Sequence, residues 1–146
     1  MDRKDACFVV SEIRFLPYYN AKIKETEQQI KDIETEIDDL GRPRSIAYDH
    51  NDAGKTSVKK NKNIERDIAG YITTQQELEM RLNEWRRRYN SAIALKNKLL
   101  KSSESDYVTD FFDGMSYTAL QDKYCYSNAY DHICRLIISE LSSAWD

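Results

Sequence analysis

Chain breakers are scarce here. Four glycines and two prolines among 146 residues leave few points at which a helix has to stop, so long helices are the expectation. Apolar runs are short as well. Without a stretch of about 18 apolar residues, no membrane-spanning helix is expected. The opening MDRKDACFVV has too brief an apolar patch for a secretory signal. Cysteine is limited to Cys7, Cys125 and Cys134, an odd count without metal-ligand spacing, which reads as reduced thiols in a cytosolic protein. Histidine is rarer still. Neither His50 nor His132 has a Cys, Asp or Glu set at ligand spacing, so neither a metal site nor catalysis is expected. DAGKTS at 52–57 ends like a phosphate-binding loop. That loop needs a glycine five residues before Gly54, where Asp49 stands, and a preceding strand, so no nucleotide site or other cofactor is expected.

Charge is abundant, at 32% of residues against 40% hydrophobic, with a net charge of −3. It is unevenly spread. Residues 104–146 hold eight acids and only Lys123 and Arg135 as bases, while residues 1–103 hold twenty bases and seventeen acids.

Apolar spacing divides the chain into four regions. A first helix is predicted over Arg3–Leu16, with Cys7, Val10, Ile13 and Phe15/Leu16 apolar, and Pro17 marks a kink or a new first turn. From Tyr18 to Leu40, Ile23, Ile30 and Ile37 alternate with Thr26, Ile33 and Leu40 as the a and d positions of heptads. Gly41 and Pro43 end that helix. Residues 41–63 are polar, with six bases and two acids and no periodicity, and read as a long loop. A second long helix is predicted from about Asn63 to Leu100, its stripe passing through Ile68, Tyr71, Leu78, Leu82, Trp85, Tyr89, Ala92 and Leu99. Two such helices imply an antiparallel hairpin or an intermolecular coiled coil, and a thin stripe predicts a homo-oligomer.

KSSES at 101–105 reads as a boundary, with Ser105 available to cap the next helix. Val108, Phe111 and Phe112 line that helix, Ser116 caps a helix carrying Ala119 and Leu120, and Ser127 caps a last helix. Its apolar face is Tyr130, Ile133, Cys134, Ile137, Ile138 and Leu141. Short helix, tight turn at Tyr124–Tyr126 and longer helix form the helix-turn-helix pattern. The expected fold is therefore all-α: an elongated, coiled-coil-like hairpin over 1–103, then a small helix-turn-helix domain over 104–146.

KNKNIERDIAGYI after a polar loop, YVTDFFDGMSYTALQDKYCYSNAYDHI and the closing RLIISEL together resemble phage-encoded transcription regulators of the ArpU/RinA type. The resemblance covers most of the chain. It implies a C-terminal helix-turn-helix similar to sigma factor region 4, control of late phage genes through double-stranded promoter DNA, and a setting in the bacterial host cytoplasm. The family's recognition helix maps onto Ser127 to about Ile138. This sequence departs from the family in having one base there, Arg135, beside His132, Cys134 and Leu136.

The candidate DNA contacts are Ser127, Asn128, Tyr130, His132, Arg135 and Lys123. Asn pairs with adenine and Arg with guanine, and Ser or Tyr meets phosphates. Candidate phosphate contacts from the arm are Arg86, Arg87 and Arg88 after Trp85, with Lys59 and Lys60 in the loop. The competing expectation is a protein-interaction factor. Its acidic end would contact RNA polymerase or another host protein, as an adaptor or a charge mimic of DNA.

Overall fold

The computed structural model describes residues 1–41 and 53–145, apart from the side chains of 53–64 and 144–145. The described residues are all-α: α1 (Arg3–Arg14), α2 (Leu16–Gly41), α3 (Ala53–Leu100), α4 (Ser105–Phe112), α5 (Tyr117–Tyr124) and α6 (Ala129–Trp145). Among them no helix is long and apolar enough to cross a membrane.

α1 starts from a capping box. The Asp2 carboxylate accepts the Asp5 N–H at 2.9 Å, and the Asp5 carboxylate accepts the Asp2 N–H at 3.1 Å. Ala6, Val9, Val10 and Ile13, at helical spacing, form its buried face. The helix stops at Arg14. Of the pair Phe15/Leu16, Leu16 is the buried member, while Phe15 is 49% exposed. Pro17 is the second residue of α2, within the first turn, where its missing N–H costs nothing.

The chain divides into two compact units, Met1–Asn20 with Arg86–Asp146, and Ala21–Trp85. This division differs from the sequence boundary at 103/104. The apolar face of α1 finds its partner in α6, more than a hundred residues away, which no local pattern announces. The first unit's core joins Ala6, Val9, Val10 and Ile13 to Leu99 of α3, Tyr107, Val108 and Phe111 of α4, and Leu120 of α5. Ile133, Ile137 and Leu141 of α6 complete it. Tyr107, absent from the expected core, is 1% exposed, and its hydroxyl donates to the Ala129 carbonyl at 2.6 Å. Ala119 is exposed.

The second unit has a far smaller core. Ile30 of α2 meets Leu78 and Leu82 of α3, with Ile23 and Ile33 packed against them. Thr26 is buried and donates its hydroxyl to the Lys22 carbonyl at 2.7 Å. Gln75 is half-buried and donates to the Glu34 carboxylate at 3.2 Å.

The second long helix begins at Ala53, about ten residues before the predicted start, so residues 53–63 of the expected loop are helical. Lys, Asn, Ser and Thr are tolerated on a helix, and Lys favours it. Lacking an apolar stripe removed the periodic signal without removing the propensity. The rest of that expected loop, 42–52, lies outside the described residues.

Candidate functional site

α4 gives way to α5 through Asp113 and Gly114, whose φ of 93° suits glycine. Ser116 caps α5 as predicted, its Oγ accepting the Ala119 N–H at 3.1 Å. Leu120, fully buried, anchors that short helix. α5 ends at Cys125 in the left-handed conformation, φ 63°, a position that glycine usually fills.

The cap of α6 is Asn128 and not Ser127. Asn128 Oδ1 accepts the Asp131 N–H at 3.0 Å, and its carbonyl accepts the His132 N–H at 3.0 Å. Ser and Asn both make good caps, and adjacent in sequence they leave the register open by one residue. Similarly, Ser105 is the first residue of α4. The position before it is Glu104, whose N–H donates to Ser102 Oγ at 3.3 Å.

α6 lies with Ala129, Ile133, Cys134, Leu136, Ile137 and Leu141 buried, while Asn128, Arg135 and Ser139 share the outward side. Of the predicted contact residues, Ser127, Asn128, Lys123 and Arg135 are exposed. Two are drawn inward. Tyr130 is half-buried, its ring 6.4 Å from both Phe111 and Tyr117, and a hydrogen bond with Cys7, helped by burial, pushes its pKa up to about 12. His132 stacks on Tyr126 with centroids 3.6 Å apart and meets the Tyr107 ring edge-on at 4.8 Å.

The two cations of the tail face carboxylates. Lys123 Nζ donates to Asp110 at 2.6 Å, and Arg135 lies 3.0 Å from Asp131. Glu104 holds His132 and Tyr126 at once: His132 Nε2 is 2.7 Å from its Oε1, and the Tyr126 hydroxyl donates to the same oxygen at 2.6 Å. Burial alone would raise the Glu104 pKa, but these two hydrogen bonds bring it below the ordinary carboxylate value. The carboxyl of Asp131 is likewise lowered, first by the hydrogen bond from Arg3. Glu104, Tyr126 and Arg3 carried no signal in the sequence that marked them as neighbours of α6.

The arginines after Trp85 are exposed on α3. Arg87 and Arg88 line an open groove of about 500 Å³ with Phe8 and Glu12 of α1 and Leu95. Lys59 and Lys60 lie outside the described side chains. Among the described residues, no three His, Cys, Asp or Glu side chains come together as metal ligands. Comparison with known protein families, curated proteins and solved structures gave no match.

Proposed function

We propose that this chain is a non-enzymatic transcription regulator of phage type, acting in the bacterial cytoplasm on double-stranded promoter DNA. The reader is a helix-turn-helix made of α5, the Cys125 turn and α6. One observation carries this reading: the helix buried on one side by the core presents Asn128 and Arg135 together on the other. A recognition helix needs that division, since one face must be fixed for the other to be held in the major groove.

The contacts available are modest. Arg135, 78% exposed, has donors suited to guanine. Asn128 has committed its Oδ1 to the cap, which leaves its amide N–H groups for a single contact and not the paired one that adenine accepts. Ser127 and Lys123 suit phosphates. With so few cations, affinity comes from multiplicity: two or more copies joined through their arms engage repeated half-sites. The arm reading is supported by the contacts of the second unit. They rise along α2 from Ile30 to Glu34 as they fall along α3 from Leu82 and Leu78 to Gln75, as in an antiparallel hairpin. Ile72 and Met80, 42% and 73% exposed, supply apolar surface for self-association.

The test is a titration of promoter-region duplex across a salt series, with the intact chain and an Asn128→Ala/Arg135→Ala double variant. Sequence-specific binding that the double variant loses supports the reader. The second reading, an acidic adaptor for a host protein such as RNA polymerase, is favoured by the carboxylate facing each cation of the tail. Binding of purified polymerase by a chain that ignores DNA would establish it.

A further inference from the structure

The tail is poor in cations, yet it does not meet solvent alone. α1 packs along α6 and brings Arg3 to Asp131, 128 positions away in sequence. Arg3 donates to Asp131 Oδ1, while Arg135 approaches Oδ2 of the same carboxylate at 3.0 Å. One acid thus holds two guanidinium groups, one from each helix, and the trio keeps a net charge of +1. Both arginines stay open to solvent, at 58% and 78% exposure, whereas Asp131 is 23% exposed. The nearby acids at the start of α1, Asp2 and Asp5, accept each other's backbone N–H in the capping box.

We infer that Arg3 is a DNA phosphate contact, and that the face around Asn128 and Arg135 is a composite surface built by α1 and α6 together. The inference rests on the DNA-reading proposal above. A guanidinium carries five N–H donors, and a carboxylate at its side engages only some of them. Held by one carboxylate in the first turn of α6, the two exposed guanidinium groups lie side by side there with donors to spare. There, the strand flanking a groove-bound helix presents its phosphates. Asp131 sets the arginines in place before DNA arrives, so less side-chain freedom is lost on binding. A module that lacks a second cation in its own recognition helix borrows one from the other end of the chain.

The experiment is the salt dependence of binding of the intact chain to a labelled mixed-sequence DNA duplex, compared with Arg3→Gln and Arg3→Lys. Each phosphate contact contributes about −0.9 to the slope of log K against log salt. Arg3→Gln is expected to make the slope shallower by about that amount per bound protomer and to weaken binding most at low salt. Arg3→Lys keeps the charge and should keep the parent slope. An unchanged slope in Arg3→Gln overturns the inference while leaving the α6 reading intact, provided the parent binds. Should Arg3→Gln unfold, a backbone-amide NMR titration of the parent with the same duplex decides: movement of the Arg3 resonance together with that of Arg135 supports the contact, and an Arg3 resonance unmoved while Arg135 moves overturns it. No binding by the parent at any salt brings down both.

Discussion

Tyr107 joins three elements of the first unit, and its two halves can be separated by substitution. Its ring meets Tyr124, Tyr126 and His132 edge-on at centroid distances of 5.0, 5.4 and 4.8 Å, and its hydroxyl donates to the Ala129 carbonyl at the start of α6. Tyr107→Phe removes only the hydroxyl. The Ala129 carbonyl keeps its helical partner one turn on, so the loss is that of one neutral hydrogen bond, about 1 kcal/mol. In a chain of this size that lowers Tm by about 2–4 °C. Tyr107→Ala also removes the ring and opens a cavity, at a cost of about 3–5 kcal/mol. A pH arm sharpens the comparison. Burial, reinforced by Tyr126 and Glu104, pushes the Tyr107 pKa up to about 12. A raised pKa means that the group's contribution is whole below about pH 10, its unfolded value, and is lost as pH rises towards 12, by at most about 2–3 kcal/mol. Urea unfolding followed by circular dichroism between pH 7 and 12 should show a shallower alkaline decline in Tyr107→Phe than in the parent. Equal losses for Phe and Ala at pH 7, or identical alkaline declines, would refute this reasoning.

Three further outcomes are expected. Cys125→Gly should stabilise the protein by about 0.5–1 kcal/mol in the same unfolding assay, because the left-handed φ of 63° strains any side chain; destabilisation would mean that the turn is held by the thiol. In native protein, a thiol reagent followed by mass spectrometry should label exposed Cys125 first. It should spare Cys134, whose pKa burial and Cys7 push up to about 11, until the chain unfolds, and early labelling of Cys134 would contradict the packing of α1 on α6. Asp110, held below the ordinary carboxylate value by Lys123 and then Tyr124, contributes stability that is present above its unfolded pKa and lost as pH falls through the folded one. The stability gap between the parent and Asp110→Asn should therefore narrow as pH drops below about 4, and a gap independent of pH would count against the contact.

The helices were legible wherever an apolar stripe had to be buried: Ile23–Ile33 in α2, Leu78–Leu99 in α3, and Ile133–Leu141 in α6 all recur at helical spacing. Ser116 was readable as a cap because its neighbours offered no rival. Asn128 was not, because Ser127 stands beside it. Ala53–Asn63 left no trace, since a stretch rich in Lys, Asn and Ser has helix propensity but no apolar periodicity. Arg3 was least legible of all. Its partner lies in the last helix, and long-range pairing comes from packing, not from local pattern. The inward turn of His132 has the same origin: His132, Tyr126 and Glu104 form one polar cluster only after α4 and α6 are brought together.

The most direct test of the proposed DNA face is a backbone-amide NMR titration of the labelled intact chain with promoter-region duplex. The account predicts that the resonances moving most belong to Ser127, Asn128, Arg135 and Ser139, together with Arg3 at the far end of the chain. Perturbations confined to the groove of Phe8, Arg87 and Arg88, or a spectrum unmoved by saturating DNA, would contradict it.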